Sequence, residues 1–217
     1  MKKSVKYSTG LVGGSKLSCE LAFKNKNYSV ITNCYKSEIF KYIENGPFER
    51  LELIQVGYYS PNKNQIFSLN VVKKLKEHYH DVLIHFFGNN NDINYYNQFL
   101  DNINQLGLKD NVVIHQGNDD QLECYKNVSY ALVPSIREGF ALILLEAQAC
   151  GVRCVASNGV PKDADAGGVK FLELEAEKWA NYIDKDFKEN SGKHTVYNME
   201  DFSKESFLKK IEKLYSE

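Results

Sequence analysis

From Leu51 onward, short apolar runs alternate with longer amphipathic stretches. Leu51–Val56, Val82–Phe87, Val112–His115, Tyr130–Val133 and Arg153–Ala156 are β-prone and predominantly apolar. Between them, Gln65–His78 places Ile66, Phe67, Leu69, Val71, Val72 and Leu75 at helical spacing, while Lys73, Lys74, Lys76 and Glu77 face out. That pattern predicts an amphipathic helix. Ile93–Leu106 reads as a second helix with Gly107 as its C-cap. Asp119 is placed to cap a short helix to Asn127, and Leu142–Cys150 reads as a helix closed by Gly151. Gly57, Gly88 and Gly117 end the preceding strands. Strands apolar on both faces belong in a parallel sheet covered by helices. The alternation predicts one α/β domain, a Rossmann-like doubly wound parallel sheet. Ligands then belong at the loops that follow strand C-terminal ends.

The first 27 residues carry less pattern. Thr9–Gly14 is loop-like, Lys16–Lys24 suits a short helix, and no independent core is visible. Tyr28–Ile31 is a short β-prone run. Phe202–Leu214 is an amphipathic helix whose Phe207, Leu208, Ile211 and Leu214 are expected to pack on this same domain. Charge narrows the function classes. With 27 basic and 28 acidic side chains the net charge is −1, and a nucleic-acid binder would carry a basic surplus. Five scattered cysteines form no disulfide framework and point to a reducing, cytosolic compartment. No apolar run approaches the roughly 18–20 residues of a membrane-spanning helix.

The stretch Ser135–Gly151 holds the most chemistry. Glu138 follows a strand, and Glu146 lies eight positions on, inside an otherwise apolar helix. Gly139 allows close approach of backbone to a ligand. The amides of Phe140, Ala141 and Leu142 sit at a helix N-terminus, a natural cradle for a diphosphate. A carboxylate among Leu144, Leu145, Ala147 and Ala149 is costly unless it is paired, and the hydroxyls of a ribose would satisfy it. Read without ligands, Glu138 is equally a solvated loop acid and Glu146 an exposed edge residue. His78, His80 and His85 match no metal-ligand spacing, so no metal site is assigned. Cys150 and Cys154 read as core cysteines.

The E-x7-E pair, followed by Ala147-Gln-Ala-Cys-Gly151 and Arg153-Cys-Val-Ala-Ser157, resembles the family-4 (group 1) glycosyltransferases of GT-B fold. Val30-Ile-Thr-Asn33 with Phe40, and Val56-Gly57 with Lys63-Asn64, resemble that family's entry and phosphate-loop motifs. Val160-Pro-Lys-Asp-Ala164 and Phe171 through Trp179 are similar to its capsule and exopolysaccharide branch.

The resemblance runs from Tyr28 to the C-terminus, and implies that 28–217 is a C-terminal-type, nucleotide-sugar-binding GT-B domain. Residues 1–27 then read as the remnant or linker of an N-terminal domain. It implies Glu138 as the donor-sugar ligand and Glu146 as the ribose ligand. It places Lys63 at the diphosphate and the Phe140–Leu142 amides on sugar and diphosphate. Tyr58 occupies the position where the family usually has a second phosphate-binding arginine, so donor affinity is expected to be weak.

The implied activity is retaining transfer from a UDP- or GDP-linked sugar to a polysaccharide or lipid-linked acceptor, with no cofactor. The enzyme would be cytoplasmic and peripheral at the inner face of the membrane. A non-catalytic nucleotide-sugar-binding module, or one subunit of an enzyme split with a separate N-terminal-half polypeptide, is the alternative.

Overall fold

The computed structural model describes residues 8, 10–24, 26–115 and 121–216, the side chains of Gln121 and Cys124 excepted. The expected strand end at Gly117 and cap at Asp119 lie outside them. Strands β1 (Val12–Gly13) and β2 (Ser29–Val30) pair in parallel across helix α1 (Lys16–Phe23). Then follow β3 (Glu52–Val56), α2 (Gln65–Leu75), β4 (Leu83–Phe87), α3 (Ile93–Gln105) and β5 (Val112–His115). The second half runs α4 (Gln121–Asn127), β6 (Tyr130–Val133), α5 (Leu142–Ala149), β7 (Arg153–Ser157), β8 (Val169–Leu172), α6 (Ala176–Asn190) and α7 (Lys204–Ser216).

Strands β3 to β8 form one six-stranded parallel sheet in the order β5-β4-β3-β6-β7-β8. The chain winds outward from β3 in one direction and from β6 in the other. The order therefore reverses between those two neighbours, which makes that junction the topological switch point of a doubly wound sheet. Alternate residues feed opposite faces. Leu53, Ile84 and Phe86 share a core with Leu69 and Val72 of α2, Phe99 of α3, and Trp179 and Ile183 of α6. Ile54, Phe87, Ala131 and Val133 share the other core with Tyr125 of α4 and Leu144, Leu145 and Ala147 of α5. The expected sheet architecture is present.

Several boundaries differ from the sequence pattern. Helix α2 ends at Leu75 and not His78, because Glu77 and His78 donate to Lys74 and Leu75, the tighter three-residue step of a closing turn. Strand β8 and helix α6 went unread. Yet α6 has a buried stripe of Trp179, Ala180, Ile183 and Phe187 at helical spacing. Thr9–Gly14 contains β1 where a loop was expected. The βαβ unit built on it spans the junction of residues 27 and 28. It is tied down where Ser15 Oγ donates to Gly139 O at 2.6 Å and Lys16 N donates to Asp163 Oδ1 at 3.1 Å. Helix α7 has no buried residue, and Leu208 stays 45% exposed, so its apolar stripe is not covered as expected.

Candidate functional site

The loops that follow β3 and β6 leave the switch point side by side. Asn62 fastens them. Its Nδ2 donates to Arg137 O at 2.9 Å, its Oδ1 accepts from Arg137 N at 3.2 Å, and its carbonyl accepts from Ile136 N at 2.8 Å. Within the first loop, Gln55 Nε2 donates to Lys63 O at 2.7 Å, and Lys63 N donates to Ser60 Oγ at 3.2 Å. Buried Gln65 donates to Tyr58 O at 3.1 Å. The second loop is backed by residues 157–159. Ser157 Oγ donates to Ser135 O, and Glu138 N donates to Gly159 O at 3.1 Å.

This framework brings Lys63 Nζ to 2.6 Å from Glu138 Oε1, with the two side chains only 17% and 14% exposed. The sequence assigned them separate roles and did not foresee their pairing. The Lys63 stem runs over Gly57, where an added Cβ would sit 3.3 Å from its Cδ and Cε. Tyr58 is half exposed, its ring centroid 5.8 Å from Lys63 Nζ. A cavity of about 420 Å³ opens beside the pair, lined by Asn62, Arg137, Glu138 and Gly139 on one side and Ser18 and Leu21 on the other.

Helix α5 starts immediately after this loop. Its N-cap, Ala141, has no side chain that could bond the first turn, and that turn contains no acid. Among the described residues the amides of Phe140 and Ala141 donate to nothing, and Leu142, as the first helical residue, has no intrahelical acceptor. The positive end of the helix is therefore left uncompensated by its own first turn. Glu146 lies one turn beyond Leu142 on the same face. Leu142 is 43% exposed, and Glu146 is half-buried, its side chain without a hydrogen bond or ion pair among the described residues. Burial pushes the Glu146 carboxyl above its ordinary range, and the more distant charge of Lys36 offsets this only in part.

Other sequence candidates lie elsewhere. His85 sits in a ladder across three strands, 3.0 Å from Glu52 Oε2 and 2.9 Å from His115 Nε2. Among the described residues, no group of three or more potential ligands is arranged to hold a metal ion. Cys150 and Cys154 are both buried, and burial pushes the Cys150 thiol up to about 12. Asn62, Gln55 and Gln65 were missed. Gln55, a polar side chain in the interior of a mostly apolar strand, was the legible signal. The role of Asn62 depends on strand order, which the sequence does not display.

The description "Glycosyl transferases group 1" matches residues 38–190, more than half of the chain. The capsular polysaccharide biosynthesis glycosyltransferase CapH of Staphylococcus aureus is 29% identical over 165 residues, covering 74% of this chain and 46% of CapH. The chain thus spans about half the length of that curated relative. A solved glycosyltransferase from Rickettsia africae superposes with a TM-score of 0.80 at 19% identity, over 95% of this chain and 62% of its own. Anabaena HepE in complex with UDP-glucose does so with a TM-score of 0.83 at 14% identity, over 99% and 65%. The chain belongs to the group 1 glycosyl transferases, and its six-stranded sheet is the Rossmann-like domain of the GT-B fold.

Proposed function

We propose that this chain is the donor-binding half of a retaining glycosyltransferase, which moves a sugar from a UDP- or GDP-linked donor to a polysaccharide or lipid-linked acceptor. One observation carries the reading. The Lys63–Glu138 pair lies beside the uncapped N-terminus of α5, at the sheet's switch point, with the unpaired Glu146 one turn along. Cations and free amides suit a diphosphate; carboxylates suit sugar hydroxyls. In this assignment Lys63 and the Phe140–Leu142 amides stabilise the departing diphosphate, Glu138 orients the sugar and Glu146 holds the ribose. The HepE complexes with UDP and UDP-glucose support the choice of ligand class. Leaving-group stabilisation by these groups invokes no metal. A lipid-linked acceptor would bring the enzyme to the cytoplasmic face of a membrane as a peripheral protein. No described helix is long and apolar enough to cross one.

Titration calorimetry with UDP and GDP tests the reading. Saturable binding of one of them is expected, and binding of neither at millimolar concentration would overturn it. Tyr58, at the position where the family resemblance implies a second phosphate-binding arginine, favours a second reading: a non-catalytic binding module, or a subunit completed by a separate N-terminal-half polypeptide. Sugar transfer to an added glycan or lipid acceptor would decide against the non-catalytic module.

Tyr58→Arg should tighten diphosphate binding by about 1 kcal/mol, the low end for hydrogen bonds to a charged group. The side chain is half exposed, so solvent and salt screen the new cation, and the gain should shrink as salt rises. It should be larger for UDP than for UMP, because a forked guanidinium engages the additional phosphate oxygens. Equal effects on the two nucleotides would show that this loop is not the phosphate loop.

A further inference from the structure

We infer that the Lys63–Glu138 ion pair is an exchange latch that makes the site favour a nucleotide still bearing its sugar over the bare diphosphate. The inference rests on the proposed donor site. In the structure the Lys63 ammonium is engaged with Glu138 at 2.6 Å, so its charge is already largely balanced by a carboxylate and is offered to a phosphate only at the expense of that contact. The loops cannot simply move apart, because the Asn62 hydrogen bonds join them on both sides of Arg137. Exchange must therefore occur in the side chains, and lysine's flexible stem and point charge suit it.

When a diphosphate draws the ammonium away, Glu138 is left as a largely buried carboxylate without its cation. Removing one partner of such a pair is costly unless new donors replace it. Hydroxyls of a donor sugar in the adjoining cavity supply those donors. Bare UDP supplies none. The sugar thus regains from Glu138 what the phosphate alone loses by opening the pair. Product UDP, once the sugar has gone, is disfavoured by the same exchange.

The test measures UDP and UDP-glucose affinities by calorimetry for the parent chain, Glu138→Gln, Glu138→Ala and Lys63→Met, with Lys63→Met combined with Glu138→Gln. Glu138→Gln should bind UDP about three- to tenfold tighter, the net worth of one hydrogen-bonded contact. Its preference for UDP-glucose over UDP should collapse towards parity. Glu138→Ala should reproduce the gain for UDP if the glutamine variant proves unstable. In the Lys63→Met background the gain should vanish, because no ammonium remains to be released. A gain that persists there would reveal a general field effect of the carboxylate and overturn the latch. So would UDP affinity that is unchanged or weaker in Glu138→Gln while the parent binds normally. Where the parent binds GDP and not UDP, the same series is read with GDP and a GDP-hexose; a parent that binds none of these nucleotides would refute the donor site itself, and the latch with it.

Discussion

Replacing Glu146 by alanine should weaken binding of whichever nucleotide, UDP or GDP, the chain accepts by about ten- to a hundredfold, the loss of a charge-assisted hydrogen bond worth roughly 1.5–3 kcal/mol. The fold should not suffer. Leu144, Leu145 and Ala147 seat α5 in the core, and the Glu146 side chain makes no hydrogen bond that holds the helix in place, its carbonyl bond from Cys150 N being kept in the alanine variant. It is a poor choice for stability, since burial already pushes its carboxyl upward.

That shift has a definite sign. The folded chain keeps the Glu146 proton to higher pH than the unfolded chain, whose carboxyl titrates at its ordinary value of 4.5. As pH rises from there through the raised folded value, the unfolded state becomes relatively favoured, so the penalty grows towards neutral pH. Glu146→Gln removes the charge and keeps the shape. Its thermal midpoint at pH 7 should exceed the parent's by roughly 2–4 °C, corresponding to relief of about 1 kcal/mol in a chain of this size. The two midpoints should converge once the pH falls below the ordinary carboxylate range. Calorimetric scans at pH 4 and pH 7 read this directly. A glutamine variant less stable than the parent at pH 7 would mean that the carboxylate has a structural partner. Unchanged nucleotide affinity in Glu146→Ala would remove its role as ribose ligand.

The sequence displayed the elements of this site more readily than its geometry. Leu51–Val56, Val82–Phe87 and Tyr130–Val133 stand out because strands covered on both faces are predominantly apolar. Helix α2 stands out because Ile66, Phe67, Leu69, Val71, Val72 and Leu75 recur at helical spacing. By contrast, β1 is two residues long, too short for any period to show. Strand β8 mixes half-buried and exposed positions at the sheet edge and gives no clean run.

At the site, both Lys63 and Glu138 could be placed after strand ends from sequence alone. Their meeting could not, because it requires β6 to pair with β3 and not with β5, its neighbour in the chain. The Asn62 clamp has the same origin, joining residues 75 positions apart. The unpaired Glu146 was the clearest signal, since an acid inside an apolar helix contradicts folding preference and so marks a place where binding could be the reason.

Two glycines flank Glu138, and substituting each should separate the ligand from the fold. At Gly159 an added Cβ would lie 2.0 Å from Ile136 O and 2.7 Å from its carbonyl carbon. Backbone cannot yield as a side-chain tip does, so Gly159→Ala must push the 135–138 loop away from residues 157–159. The hydrogen bond from Glu138 N to Gly159 O and that from Ser157 Oγ to Ser135 O would be strained together. Overpacking of this kind costs roughly 1–3 kcal/mol and often more when backbone must move.

Stability in urea and nucleotide-sugar affinity should therefore both fall in Gly159→Ala. At Gly139 an added Cβ meets nothing within 4 Å, and no left-handed conformation is required there. Gly139→Ala should accordingly leave the urea midpoint within about 0.5 kcal/mol of the parent. It should still weaken UDP-glucose by about tenfold or more, because the methyl group occupies space the ligand needs beside the first amides of α5. If Gly139→Ala binds UDP-glucose as the parent does, the sugar diphosphate does not approach this backbone. The Phe140–Leu142 amides then lose their place in the cradle.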